Sequence, residues 1–342
     1  MEYNMREVRY LRETDPECVM VDLMTELQHG FIDRIGSEGI GAAVKWLLPR
    51  KNLGEHTYPA DLNFSWDGGD APYLFELSEN EDFSESYKEE VGEPEITLTN
   101  FKIGQRYFWR VDRGEAHEFV TDGDRFRFIR IDGTINVRDV GGINIKQGMV
   151  YRGSELYHEF KITEAGKREL THRLGIKTEL NLRQEYSFPG GGSCLGDGVE
   201  CVTLKYRPYD EIFEEQHLEG IVKIMELFAD EEKYPVYFHC LGGADRTGMI
   251  ALYLRAILGE SDEDMLTDYE LTSLSSYMGG AKEGVSTFFR SREGAYFERL
   301  ITGLLAYEGK TFGERLVSFL RFAGVKEETF ESIRRILKKI DF

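Results

Sequence analysis

His239-Cys240-Leu241-Gly242-Gly243-Ala244-Asp245-Arg246-Thr247-Gly248 joins an apolar, strand-like run, Tyr234 to Phe238, to a strongly apolar helical run, Thr247 to Leu258. Strand, tight loop and helix in that order aim backbone N–H groups and the positive end of a helix dipole at one point. Gly242 and Gly243 carry no Cβ, so the loop can curl tightly and let a ligand come close. A nest of amides of this kind matches the oxygens of a phosphoryl group. Cys240 stands at its mouth, where such surroundings favour a thiolate. Arg246 offers a planar fork able to hold two phosphoryl oxygens. Thr247 can donate its hydroxyl to the Cys240 sulfur as a covalent intermediate breaks down. The expected chemistry has two steps: attack of Cys240 on phosphorus, then hydrolysis of a cysteinyl-phosphate. A preorganised donor cage would supply most of the rate. Its parts are Leu241, Gly242, Gly243, Ala244, Asp245 and Arg246 as the phosphate cradle. An isolated Cys-x5-Arg arises often by chance and a buried cysteine is usually an inert hydrophobe. Here the residue types coincide with their structural context, which selects the phosphate reading.

The leaving oxygen needs a proton, so a carboxylic acid should reach it. Asp210, in Arg207-Pro208-Tyr209-Asp210-Glu211, is the first candidate; it follows an apparent strand, Cys201 to Tyr206, and stands 30 residues before Cys240. Its plain alternative is a helix cap, since Asp is a favoured N-cap. Asp245 is the rival, placed in the loop itself beside Arg246 as acid or as water-orienting base; its alternative is an ion pair that holds the loop. Glu211 comes third. His239 is expected to hydrogen-bond locally and tune the sulfur. Arg138, Asp139, Arg152 and Arg183 read as structural, forming internal ion pairs near the floor of the site.

The decapeptide resembles the signature loop of the protein tyrosine phosphatase superfamily, and its Asp-Arg-Thr-Gly ending is similar to the bacterial tyrosine/lipid phosphatase branch. Gly133-Thr134-Ile135-Asn136-Val137-Arg138-Asp139-Val140-Gly141-Gly142, followed by Val150-Tyr151-Arg152-Gly153-Ser154, resembles the N-x-R-D-x-G-G element and the R-G/S step with which that branch begins its catalytic domain. Leu180-Asn181-Leu182-Arg183 resembles its D-L-R strand, with Asn181 in place of the usual Asp. The resemblance spans about residues 126–342 and implies an α/β phosphatase domain. Related dual-specificity phosphatases place their general acid at about the separation of Asp210 from Cys240. Some branch members with lipid activity carry Lys where this chain has Ala244, so the loop has one positive charge fewer and polyanionic inositol lipids fit it less well.

The chain has 342 residues, 41% hydrophobic and 13% aromatic, enough for two domains with their own cores. A net charge of −20 argues against non-specific binding of nucleic acid or anionic membranes, which rests on Lys and Arg neutralising phosphates. No apolar run approaches the ~20 residues of a membrane span, and the charged start, Met1-Glu2-Tyr3-Asn4-Met5-Arg6-Glu7, does not read as a signal peptide. Four cysteines do not make a disulfide framework; Cys194 and Cys201 could pair, but nothing requires it, and Cys18 is unassigned. A nucleophilic thiolate needs reducing surroundings, so cytoplasm is expected, with an exported form left open. The seven histidines fall in no metal-ligand spacing, and no cofactor is expected. Gly190-Gly191-Gly192 lacks the Lys-Ser/Thr ending of a nucleotide cradle.

Residues 1–41 remain unassigned. Residues 42–125 read as short strands: Leu62, Phe64 and Trp66 alternate, as do Tyr73, Phe75 and Leu77, then Ile96 and Leu98, then Tyr107, Trp109 and Val111. This predicts a small antiparallel β-sandwich. Its later strands are similar to fibronectin type III and related immunoglobulin-like domains, in which Tyr107 would be the corner tyrosine and Trp109 a core residue. Such a domain could bind a protein or pack on the catalytic domain. From 126 to 342 the pattern alternates: a helix from Thr163 to Leu174, strands at Lys177 to Leu182 and Cys201 to Tyr206, a helix at about Glu214 to Phe228, then the strand into Cys240. That predicts a largely parallel sheet covered on both faces, with its ligand at the strand's carboxyl end. A helix begins at Ser261 to Asp264; Phe330, Ile333, Ile336, Leu337 and Ile340 trace one face of another. Ser273 to Ala295 reads as a helical connection or a lid.

The leading expectation is a metal-independent phosphomonoester phosphatase acting on phosphotyrosine. Inositol phosphates or phosphoinositides are the substrate alternative, and a phosphate-binding scaffold is the alternative of another class. A rhodanese-like sulfur transferase fits the Gly-x-Asp-Arg-Thr-Gly pattern less well.

Overall fold

Two units divide the chain, each built from two stretches of sequence: Met1–Thr25 with Pro59–Ile129, and Glu26–Tyr58 with Arg130–Phe342. The computed structural model describes residues 5–9, 19–50, 54–122, 126–142, 144–183, 188–189, 191–276 and 296–339.

In the first unit, strict alternation of apolar residues gives strands with one buried face. One sheet runs Met5–Arg9, Asp61–Ser65, Glu95–Leu98; the other runs Val19–Val21, His117–Thr121, Arg106–Val111, Tyr73–Ser78, Ser86–Val91. Leu62, Phe64, Phe75, Leu77, Ile96, Leu98, Tyr107 and Trp109 enter a single apolar cluster drawn from both sheets. The Phe64 ring lies 5.3 Å from Phe75 and 5.5 Å from Trp109. Two of these strands carry no clear alternation in the sequence. Ser86–Val91 pairs with Tyr73–Ser78 in register Leu77↔Tyr87 and exposes Lys88, Glu89 and Glu90, the charged surface typical of a sheet edge. His117–Thr121 is masked by its polar flanks, although Phe119 is wholly buried.

Residues 42–47 depart from the strand expectation. They lie in the helix Ile40–Leu47, preceded by Glu26–Glu38. Ala43, Val44 and Leu47 are the buried positions, a helical spacing that outweighs the β-propensity of Val44 and Trp46. Both helices group with the second unit.

Within the second unit the sheet runs Glu200–Thr203, Thr178–Asn181, Val236–His239, Val150–Gly153, Arg138–Asp139. The first four strands are parallel, and Arg138–Asp139 joins antiparallel. Val236–His239 is buried along its whole length, as a strand covered on both faces must be. Thr163 caps the helix Glu164–Arg168 by accepting from Gly166 N at 3.2 Å; the same helix continues as a π turn, Glu169–Arg173. The strand expected over Cys201 to Tyr206 is shorter, Glu200–Thr203. Glu215–Ala229 and Asp245–Leu258 follow, and the second is buried on every side from Thr247 onward, consistent with its nearly unbroken apolar sequence. Ser261 caps Asp262–Glu270 by accepting from Asp264 N at 3.1 Å. Phe330, Ile333, Ile336 and Leu337 are all buried on Glu327–Leu337; Ile340 lies outside the described residues, as do residues 277–295 of the lid or connection. Among the described residues no helix is long and apolar enough to cross a membrane.

Candidate active site

Cys240 leaves the central strand at its carboxyl end, 5% exposed, and the next helix begins at Asp245. Between them the chain turns through Gly243 at φ 67°. Three successive loop carbonyls are tied from behind. Leu241 O accepts from Glu155 N at 3.0 Å, Gly242 O from Asn136 Nδ2 at 2.9 Å, and Gly243 O from Arg152 Nη2 at 3.0 Å. In a trans peptide the N–H points opposite to the C=O before it. Fixing those carbonyls outward therefore turns the amides of Gly242, Gly243 and Ala244 away from the scaffold and toward the loop's concave side. Each tie also satisfies a buried carbonyl that would otherwise carry a desolvation cost. The loop is held as an amide cup before any ligand arrives.

Gly243 is required twice over. Its φ disfavours a side chain, and a Cβ there would fall 2.5 Å from Gly153 C and 2.6 Å from its O. Gly243→Ala is expected to destabilise the fold by about 1–3 kcal/mol, the usual cost of such backbone strain, and to lower phosphate affinity by displacing the cup. A urea melt and phosphate titration at unchanged stability would show the site indifferent to this residue.

The ties rest on a buried charge cluster. Cross-strand pairing sets Arg138 opposite Arg152, which puts both guanidinium groups on one face of the sheet. Both meet Asp268 of the helix Asp262–Glu270, at 3.3 Å and 2.6 Å; Arg255 stands 3.5 Å from the same carboxylate. Burial alone would raise the Asp268 carboxyl, but Arg255, Arg152 and Arg138 outweigh it and hold it well below the usual carboxylate range. Burial and the neighbouring Arg152 pull Arg138 down to about 9. Asn136 sits at φ 58°; Arg138 Nη1 donates to its Oδ1 at 2.5 Å, and its Nδ2 also reaches Thr272 Oγ1 at 3.3 Å. Arg183 pairs with Glu155, and Asp139 accepts from Gly141 N at 2.7 Å and Gly148 N at 2.6 Å.

The remaining candidates fall as follows. Arg246, partly buried in the first turn of Asp245–Leu258, donates through Nη1 to Leu182 O at 3.3 Å. Thr247 is wholly buried, and its hydroxyl has no hydrogen-bond partner among the described residues. Ala244 is buried and occupies the N-cap position; Leu241 is half-buried. Asp245 accepts from the Tyr209 hydroxyl. Asp210 forms an ion pair at 3.1 Å with Arg299 of the helix Tyr296–Leu304. Asp210 and Glu211 belong to the 3-10 turn Tyr209–Phe213. His239 is buried, with Nε2 2.9 Å from Glu179 Oε1, and Glu179 also accepts from Ser193.

Cys194, Cys201 and Cys240 are all free thiols. Burial, reinforced by Glu179, pushes Cys194 up to about 12 and Cys201 up to about 11, so neither is a nucleophile at neutral pH. Among the described residues no three His, Cys, Asp or Glu side chains cluster as a metal site. Asp268, Thr272, Glu155, Glu179, Tyr209 and Tyr269 had no assigned role in the sequence. Of the supporting residues, Asn136, Arg138, Asp139, Arg152 and Arg183 carried a signal, in the Asn-x-Arg-Asp element, the Arg-Gly step and the Leu-Asn-Leu-Arg strand.

A family model described as "Tyrosine phosphatase family" matches residues 129–194 and 195–339, well over half of the chain. No curated protein matches it. Among solved structures, the core catalytic domain of the PP-IP phosphatase SIW14 from S. cerevisiae, in complex with citrate, is similar at 15% identity and a TM-score of 0.29, covering 48% of this chain and 91% of that one.

Proposed function

The chain belongs to the tyrosine phosphatase family, and on that premise we propose that it hydrolyses phosphomonoesters through Cys240, with phosphotyrosine as the leading substrate. The observation that carries this reading is the set of outward ties on Leu241, Gly242 and Gly243, which leaves an amide cup directly after a cysteine. Preorganised donors of this kind stabilise charge without reorganising during reaction. In the first step the Cys240 sulfur bonds to phosphorus while the bridging P–O bond breaks, and the leaving oxygen takes a proton from an acid. In the second, water bonds to phosphorus and gives up a proton to that residue's carboxylate, and the S–P electrons return to sulfur. Arg246 holds the transferring oxygens, and the Thr247 hydroxyl, without a partner among the described residues, is the donor for the departing thiolate.

Asp245 is the acid in this reading. It lies in the loop and is held by a phenol, whereas Asp210 lies outside the loop and pairs with the exposed Arg299 at 3.1 Å. Asp245→Asn is expected to lower kcat/KM for phenyl phosphate by ~10²–10⁴-fold, the span for loss of a general acid, and to change kcat/KM for 2,4-dinitrophenyl phosphate little, because that ratio reports the first step, in which this leaving group needs no proton. The same selectivity in Asp210→Asn instead would move the role to Asp210. Turnover of p-nitrophenyl phosphate that survives EDTA tests the reaction class. Phosphopeptides, inositol phosphates and phosphoinositides assayed together test the substrate. The same reading assigns Glu26–Tyr58 with Arg130–Phe342 to catalysis and Met1–Thr25 with Pro59–Ile129 to an immunoglobulin-like sandwich, supported by Tyr107, whose hydroxyl accepts from Lys102 N at 2.9 Å as a corner tyrosine does. A thiolate nucleophile suits a reducing, cytoplasmic setting.

A further inference from the structure

Tyr209 adopts φ 63°, a costly conformation for a bulky residue and one that persists only where surroundings enforce it. Its ring is stacked on Tyr296 at 5.8 Å and 22°, and the residue is 8% exposed. Its hydroxyl donates to Asp245 Oδ1 and lies 2.8 Å from the hydroxyl of Tyr269. Burial, ahead of the mutual influence of Tyr269 and Asp245, pushes the Tyr209 phenol well above its ordinary value, and burial does the same to Tyr269. Both therefore remain protonated at neutral pH. A phenol has one hydrogen to give. Since that of Tyr209 goes to Asp245, the hydrogen between the two tyrosines comes from Tyr269. With Asp245 as a carboxylate, the chain runs Tyr269 to Tyr209 to Asp245.

Tyr269 is in turn seated on the catalytic helix. A Cβ on Gly248 would stand 2.5 Å from Tyr269 Cε2, so the glycine that ends the Asp-Arg-Thr-Gly stretch is what admits the ring. Tyr269 also follows Asp268, the carboxylate that gathers Arg138 and Arg152 beneath the loop. One helix, Asp262–Glu270, thus supports the loop carbonyls through Asp268 and the loop acid through Tyr269.

We propose that Tyr209 and Tyr269 are positioning residues: a two-hydroxyl relay that holds the Asp245 carboxyl in the orientation from which it protonates the leaving oxygen. Neither touches the reacting atoms. The proposal rests on the reading of Asp245 as the acid. In the first step the relay lowers no barrier when the leaving group departs unprotonated, so in kcat/KM its loss should be felt only for poor leaving groups.

The test is Tyr209→Phe, which removes one oxygen and keeps the stacked ring. With phenyl phosphate, kcat/KM should fall about 10-fold, the loss of an interaction used in the transition state of the first step. With 2,4-dinitrophenyl phosphate, kcat/KM should change less than about twofold. Tyr269→Phe, which leaves Tyr209 in place but unsupported, should give a smaller loss, about threefold, of the same selectivity. Inhibition by inorganic phosphate should be unchanged in both, showing an intact cup. Equal losses with the two esters, or none, overturn the relay. Asp245→Asn, run in parallel, separates the two readings. Selectivity there but none in Tyr209→Phe refutes the relay alone, and no selectivity in Asp245→Asn refutes the acid assignment and the relay with it.

Discussion

Cys240→Ser is expected to abolish turnover of p-nitrophenyl phosphate, by on the order of 10⁴–10⁶-fold, the scale on which loss of a concerted nucleophile is felt. A serine hydroxyl is not ionised at neutral pH and is a far weaker nucleophile than a thiolate. The cup itself should survive the change. Its amides are aimed by Glu155, Asn136 and Arg152, none of which depends on the sulfur. Phosphotyrosine peptide should therefore still bind Cys240→Ser, within about threefold of its affinity for the active protein, since transition-state loss need not touch ground-state binding. Calorimetric titration beside the kinetic assay checks both halves. Turnover that persists in Cys240→Ser removes the cysteine from the mechanism. A wild-type protein that binds the peptide and never turns it over is a phosphate-binding module, the alternative class for such a loop. The other described thiols offer no rescue, because burial holds Cys194 and Cys201 in the neutral form.

The decapeptide made the loop legible because its chemistry is local: a cysteine, two glycines and an arginine on one turn between a strand and a helix. Local, too, were the caps at Thr163 and Ser261, each a side chain reaching three residues along the chain. What supports the loop was not local. Asp268 lies 116 residues from Arg152 and 130 from Arg138, and nothing in Leu266-Thr267-Asp268-Tyr269-Glu270 distinguishes that carboxylate from its acidic neighbours. The Tyr209 contact to Asp245 crosses 36 residues and depends on a left-handed residue that no composition rule anticipates. Asp210 is similar: its spacing suited a proton donor, and no local pattern announced its ion pair with Arg299, 89 residues on. The helix Ile40–Leu47 was obscured because eight residues with three buried positions satisfy a short apolar run as readily as a helical stripe. Periods and motifs report what a segment needs; partners at long range decide which of two equal needs is met.

Asp268→Asn should cost about 3–5 kcal/mol, the penalty for breaking a buried ion pair and leaving its partners uncompensated. Arg138, Arg152 and Arg255 are each at most 1% exposed, and Asp268 faces all three; after the substitution, Glu260 on Arg255 is the one carboxylate among the described ion pairs left to this group. Asparagine keeps the shape and one acceptor but removes the charge, so packing changes cannot account for the loss. The urea midpoint should fall while the slope stays constant, as befits lost stability without a change in exposed area. Glu219→Gln, which breaks a surface pair with Lys223, should leave the midpoint where it was. The pH dependence is a second check. The folded Asp268 carboxyl is depressed, so the folded state binds fewer protons than the unfolded one as pH falls past the unfolded value of about 3.9. The stability it contributes is complete above that value and drains away as pH drops toward the lower, folded one. The gap between wild type and Asp268→Asn should therefore be full at pH 7 and narrow steadily below about pH 4. Catalysis should suffer with it, because Arg152, released from Asp268, no longer fixes the Gly243 carbonyl and the amide behind it loses its aim. A variant as stable as wild type at neutral pH, or a gap indifferent to acid, would show that this carboxylate does not hold the arginines under the loop.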